Sequence, residues 1–271
     1  MTLDAVANRI VDVLRHKPAG LFTDFDGVLS EIAQTPDGAV VYPGAAEALA
    51  VITSHVDAAG VITGRAVDDI GTKIPIDDMV VVGNHGLEWW ERGARHDHEA
   101  GTEAIEAVAS VLEAVKTALA GQMDISDMIW ENKRLSGTIH FRNVADPAAT
   151  EQLLLPIVVP LAEANGLRCT AGKMIVELRP LAQVTKGTAL TELIEKSNLA
   201  AAVFIGDDVT DVDGFRALRE LRSQGLQTLA VGVVTADAHP DIAAHSDVVV
   251  NSVHEIVDVL TRVGEELREG A

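Results

Sequence analysis

At 271 residues with 48% hydrophobic content, the chain has room for one or two domains and a sizeable core, which excludes wholesale disorder. A formal net charge of −20 repels phosphate backbones and anionic bilayers, which argues against nucleic acid and membrane surfaces as partners. An anionic substrate would therefore need positive charge supplied locally by its own site.

The single cysteine, Cys169, rules out an internal disulfide and reads as a small buried hydrophobe. The N-terminus interrupts its apolar residues with Asp4, Arg9 and Asp12, so no signal peptide is expected. Leu153 to Ala162 is too short to span a bilayer and holds two prolines. The expectation is a soluble, cytoplasmic protein. Nothing in the sequence sets the oligomeric state, and a monomer would suffice.

Leu3, Val6, Ile10 and Val13 recur at helical spacing, so the chain opens with an amphipathic helix. An apolar run then leads to Asp24-Phe25-Asp26-Gly27. Residues two apart on a strand face the same side, so Asp24 and Asp26 are expected to share one pocket at the strand end. Gly27 permits a sharp turn there. Ser30 to Val41 reads as a loop, and Pro43-Gly44 opens a helix running to about His55. Ala58 to Ile62 and Met79 to Val82 are short buried-type strands. Trp89 to Glu99 reads as a hairpin turning near Gly93, with Arg95 to His98 as solvated charges at its tip.

The pattern changes near residue 100. Thr102 is placed as the cap of a helix that buries Ile105, Val108, Leu112, Val115 and Leu119 and ends at Gly121. Met123 to Trp130 and Ser136 to Arg142 read as strands. Pro147 to Ala164 reads as a helix despite two internal prolines. Arg168 to Thr170 and Met174 to Leu178 read as strands again. From Lys186 the helix–strand alternation resumes: helices over 186–196, 215–221 and 253–267, and strands over 201–205, 228–234 and 247–250. This predicts an α/β core built from residues 1–99 and 181–271, interrupted by an α+β module at 100–180. In open α/β sheets ligands bind beyond the carboxyl ends of the strands, where Asp24, Thr63 and Asp207 fall.

Four stretches carry chemistry. Asp24-x-Asp26-Gly27 follows a strand. Thr63-Gly64-Arg65 follows another. Lys186-Gly187 starts a helix. Gly206-Asp207-Asp208-Val209-Thr210-Asp211 gathers acids that need a counter-charge, which a hard cation with oxygen ligands supplies. Each alone has an ordinary reading as a turn or a solvated helix start. Their order, nearly spanning the chain, resembles the haloacid dehalogenase-like phosphotransferases. That resemblance implies a Rossmann-like, doubly wound core with an inserted cap. It implies Mg²⁺ bound by Asp24, Asp207 and the Asp26 carbonyl, with Asp24 as nucleophile and Asp26 as acid and base. It further implies that Lys186 bridges nucleophile and phosphate, that Thr63 holds a phosphate oxygen, and that Asp208 and Asp211 orient the lysine or metal-bound water. Val28 stands where many relatives have threonine, a position that packs or turns the loop and does not donate to phosphorus in this scheme.

Further stretches narrow the substrate. Gly83-Asn84-His85-Gly86-Leu87-Glu88, Glu131-Asn132-Lys133 with His140-Phe141-Arg142, and Gly172-Lys173 through Glu177-Leu178-Arg179-Pro180 resemble signatures of the trehalose-6-phosphate phosphatases. The resemblance implies hydrolysis of trehalose 6-phosphate, with Glu131, Lys133, Arg142, Lys173 and Glu177 gripping sugar hydroxyls. A cap on two linkers is expected to close over that sugar. Lys173 and Glu177, four apart, are expected to share a strand face. Arg65 is placed at phosphate or cap, and His85 at the loop or substrate. Other sugar-phosphate phosphatases, of sucrose or glucosylglycerate type, remain alternatives, as does a non-catalytic sugar-phosphate sensor.

Overall fold

The computed structural model describes residues 1–74 and 78–270, in two compact units: Met1–His96 with Val184–Ala271, and Asp97–Gln183. In chain order the first segment holds α1 (Leu3–Leu14), β1 (Ala19–Thr23), α2 (Ala45–Thr53), β2 (Ala58–Ile62), α3 (Val67–Lys73), β3 (Val80–Gly83), β4 (Glu88–Glu91) and β5 (Ala94–Asp97). The middle segment holds α4 (Glu99–Glu103), α5 (Ile105–Ala120), β6 (Ile129–Asn132), β7 (Gly137–His140), α6 (Pro147–Ala164), β8 (Leu167–Gly172) and β9 (Ile175–Pro180). The last holds α7 (Lys186–Lys196), β10 (Ala201–Gly206), α8 (Val212–Ser223), β11 (Gln227–Val233), α9 (Pro240–His245), β12 (Val248–Val250) and α10 (Val253–Glu269).

The larger unit is a doubly wound sheet in the order β12-β11-β10-β1-β2-β3-β4-β5. The strands from β12 to β3 run parallel, and β4 turns back antiparallel to β3. Strands buried on both faces read as unbroken apolar runs, as β1 and β10 do. Leu21 packs into a core with residues of α1, α2 and α10, while Phe22 packs into another with residues of α7 and α8. Strand order reverses between β1 and β10, which is where such sheets open a crevice.

The smaller unit packs α5 and α6 on one face of the antiparallel sheet β6-β7-β9-β8. Ile139, Val176 and Leu178 point into that core. The prolines of α6, Pro156 and Pro160, fall on its exposed side, while Leu154, Val158 and Ala162 are buried. Proline removes an intrahelical bond, and on the outer face water can take the freed carbonyl.

Several local expectations are corrected. Thr102 is inside α4 and donates to the Glu99 carbonyl; His98 caps that helix. Only Ile129 onward is strand in the 123–130 stretch, because the Asp124–Ser126 turn breaks it. Arg95 lies on β5, not at the hairpin tip, and pairs with Asp68 and Glu88; the tip is at Gly93, whose φ is +78°. Cys169 is half-buried on β8, and burial pushes its thiol pKa up. Among the described residues no helix is long and apolar enough to cross a membrane.

Candidate active site

Parallel pairing explains why distant residues meet. In register, Thr23 lies beside Ile205 and also beside Val61, so β1, β10 and β2 finish at nearly one level. Asp24, Asp207 and Thr63 follow those ends directly. The Asp24 amide continues the ladder by donating to the Ile205 carbonyl at 2.8 Å. Lys186 is the first residue of α7, whose start is fixed by a Thr185–Thr188 capping box. Gly187 lets α7 approach α8, since a Cβ there would sit 2.5 Å from the Asp213 carbonyl oxygen.

The resulting cluster is buried. Lys186 Nζ donates to Asp24 Oδ2 and to Asp211 Oδ1, each at 2.7 Å. Asp211 Oδ2 accepts from the Asp207 and Asp208 amides at 3.0 Å. Asp24 Oδ1 accepts from the Phe25 amide at 2.6 Å. Burial, with Asp211 and Asp26 adding negative charge, raises the Asp24 pKa to about 8 against the opposing pull of Lys186. Burial and the neighbouring Asp24, Asp211 and Asp208 push Asp207 well above the usual carboxylate range. Burial disfavours the charged Lys186, but the two aspartates outweigh it and raise its pKa.

Asp24, Asp207 and Asp211 bring carboxylate oxygens within 4.8 Å of one another. Three carboxylates thus face one ammonium, an excess that a single divalent ion would cancel. Asp207 Oδ1 is buried without a hydrogen-bond partner, which is the donor such an ion would use. The all-oxygen set suits a hard cation such as Mg²⁺. Gly27, with φ +71°, brings its backbone against Asp207, and a Cβ there would fall 1.9 Å from Oδ2.

The side chain of Asp26 is not in this cluster. The strand stops at Thr23, so strand alternation does not govern residues 24–26, and the turn sends the two carboxylates to different partners. Both Asp26 oxygens accept from Arg65, at 2.6 and 2.8 Å. Arg65 also donates to Asp69 and to the Pro36 carbonyl. Asp208 is exposed and caps the 3₁₀ turn that carries Asp211.

Thr63 is buried, and its hydroxyl accepts from the Arg65 amide at 3.2 Å, leaving its proton to donate. His85 packs on Gly64, where a Cβ would lie 2.5 Å from Nε2, and its amide donates to the Thr63 carbonyl. Asn84, His85 and Gly86 all have positive φ, a strained run. Buried Glu88 braces it by accepting from the Asn84 side chain at 2.7 Å and from the Val67 amide at 2.8 Å. Glu88 closes the Gly83–Glu88 stretch, and nothing in its sequence context pointed to this bracing role.

In the smaller unit, register places Glu131 beside Thr138, Thr138 beside Glu177, and Thr170 beside Glu177. These residues therefore share the sheet face opposite the helices. Lys133 Nζ lies 3.8 Å from Glu131 and 3.9 Å from Glu177. His140 Nε2 is 3.0 Å from Glu131, and Arg179 is 3.9 Å from Glu177. His140 and Arg179 stand in the quoted signatures without an assigned role, although each is two residues from a polar neighbour on the same face. Arg142 follows β7 and is half-buried. Lys173 is exposed in the β8–β9 turn, beside Met174 at φ +62°, so strand parity does not pair it with Glu177.

A family model described as trehalose-phosphatase matches residues 22–249. The chain belongs to that family. A trehalose-phosphate phosphatase of Mycobacterium leprae is 32% identical over 227 residues, covering 80% of this chain and 52% of the relative. An uncharacterized glycosyl hydrolase of Mycobacterium tuberculosis is 35% identical over 222 residues, covering 79% of this chain and 16% of its own length. The chain thus spans about half, or much less, of the curated relatives it matches. The solved C-terminal domain of a Candida albicans trehalose-6-phosphate phosphatase aligns with a TM-score of 0.79 at 18% identity, covering 98% of this chain and 97% of that one. A haloacid dehalogenase-like hydrolase from Bacteroides thetaiotaomicron aligns at 0.61 and 13%, covering 91% and 100%. The fold is the haloacid dehalogenase-like one.

Proposed function

We propose that this member of the trehalose-phosphatase family hydrolyses trehalose 6-phosphate through an aspartyl-phosphate, with Mg²⁺. The observation that carries the reading is Lys186 bonded to both Asp24 and Asp211 at the β1/β10 switch point, beside the half-buried Asp207 with its buried Oδ1. A phosphate monoester is a dianion, and a bare carboxylate cannot approach it without charge neutralisation. A divalent ion held by Asp24, Asp207 and the Asp26 carbonyl would neutralise phosphoryl charge.

An Asp24 oxygen attacks phosphorus in line, forming the acyl-phosphate bond as the ester P–O bond breaks. Asp26 delivers a proton to the departing sugar oxygen, then removes one from the water that cleaves the intermediate. Lys186, released from part of its pairing, bridges Asp24 and a phosphoryl oxygen. Thr63 donates its hydroxyl proton to another. Glu131, Lys133, Arg142, Lys173 and Glu177 bind sugar hydroxyls, and a site built to hydrogen-bond hydroxyls rejects analogues lacking them. An acidic chain with one cysteine suits the reducing cytoplasm.

Phosphate release from a panel of sugar phosphates with Mg²⁺ tests the reading. Trehalose 6-phosphate should be the preferred ester. Preference for sucrose 6-phosphate or glucosylglycerate phosphate, with trehalose 6-phosphate inert, would overturn the substrate. Binding without turnover of any ester would favour a sensor.

A further inference from the structure

The antiparallel register lines four polar side chains across the face of the smaller sheet opposite its helices. Glu131 of β6 lies beside Thr138 of β7, Thr138 beside Glu177 of β9, and Glu177 beside Thr170 of β8. Directly opposite residues share a face, and neighbouring strands stand about 4.8 Å apart. Thr138 is therefore midway between two carboxylates. Its neighbour Ile139 points the other way, into the core with α5 and α6. Thr138 is 2% exposed, and its hydroxyl is buried with no hydrogen-bond partner among the described residues.

Packing alone gives no reason for that hydroxyl. A buried hydroxyl left unbonded destabilises the fold, and valine would fill the same volume and suit a strand as well. Lys133 Nζ, 3.8 Å from Glu131 and 3.9 Å from Glu177, lies between the same two carboxylates. An ammonium has three donors and no acceptor, so it cannot take the Thr138 proton.

The surroundings select the partner that can. A phosphate or carboxylate would meet Glu131 and Glu177 as like charges, and a cation would meet Lys133. An uncharged hydroxyl suits every neighbour. Its two lone pairs accept from Thr138 and Lys133, and its own proton goes to Glu131 or Glu177.

We infer that Thr138 is a specificity-determining residue, whose hydroxyl donates to a hydroxyl of a neutral sugar ring seated between Glu131 and Glu177. The inference rests on the reading of the chain as a sugar-phosphate phosphatase and deepens it. The competing role is structural: an ordered water takes the same bonds, and Thr138 serves the fold alone.

Thr138→Val removes the hydroxyl and keeps the shape, whereas Thr138→Ser keeps the hydroxyl. Steady-state kinetics with Mg²⁺ on trehalose 6-phosphate and on 4-nitrophenyl phosphate, which carries no sugar, separates the two roles. The valine variant should raise KM for the sugar ester about fivefold, the worth of one neutral hydrogen bond. Its kcat on that ester, and its KM for the nitrophenyl ester, should stay within about twofold of wild type. The serine variant should match wild type within about twofold on both. A sugar-selective rise in KM confined to the valine variant supports the inference. No rise in KM, an equal rise for both esters, an equal rise in the serine variant, or a valine variant that fails to fold would overturn it and leave the phosphatase reading intact. A wild-type protein inactive on trehalose 6-phosphate would overturn that reading, and this inference with it.

Discussion

The two polar clusters differ in how much of them reaches solvent: Lys186, Asp24 and Asp211 are buried, whereas His140 and Glu131 are part-exposed. In the larger unit Lys186 makes two 2.7 Å charge-assisted hydrogen bonds, and both oxygens of Asp211 are engaged. In the smaller unit Glu131 and His140 reach solvent, with His140 Nε2 3.0 Å from Glu131, and Lys133 Nζ lies 3.8 Å from Glu131 and 3.9 Å from Glu177. Short bonds define one geometry, which suits a reaction at a single phosphorus. Charges spread along a sheet face offer many donors and acceptors, which suits a polyol. Under the proposed function, the chain would divide the work between a fixed electrostatic centre and a broad recognition face.

The largest expected effect tests the first half. Lys186→Met removes the ammonium bonded to Asp24 and Asp211 and should lower kcat by about 10²–10³-fold, in the range for losing a transition-state donor. Steady-state kinetics on trehalose 6-phosphate should show KM nearly unchanged. A rise in KM with kcat preserved would mean that Lys186 belongs with the recognition face, and the comparison would break. The smaller effect tests the other half. Glu177→Gln keeps the shape and removes the charge, and should raise KM about tenfold, the worth of one hydrogen bond to a charged group. Its kcat should stay within about twofold. A kcat loss as deep as that of Lys186→Met would erase the distinction.

Much of the architecture was legible because it rests on local signals. Ala58 to Ile62 and Ala201 to Ile205 were apolar runs of strand length, and both are strands of the parallel sheet. Pro147 to Ala164 kept its helical period because its prolines fall on the outer side. What sequence could not supply was the end of a strand to one residue. Strand alternation put Asp24 and Asp26 in one pocket, but β1 stops at Thr23 and the two carboxylates take different partners, Lys186 and Arg65. The same limit undid the pairing of Lys173 with Glu177, because Lys173 belongs to a turn. Arg65 was visible as a motif residue, but its partners Asp26, Asp69 and Pro36 come together only in the folded chain. Asp211 was read as a supporting residue; the structure brings its carboxylate into the same cluster as Asp24 and Asp207.

The central claim is that Asp24 carries the phosphoryl group between the two halves of the reaction. Acid-quenching the protein during turnover of labelled trehalose 6-phosphate with Mg²⁺, followed by mapping of the label, tests it directly. The account predicts label on the peptide containing Asp24, and none in Asp24→Asn. Turnover by wild-type protein with label on another residue, or undiminished turnover by Asp24→Asn, would contradict it.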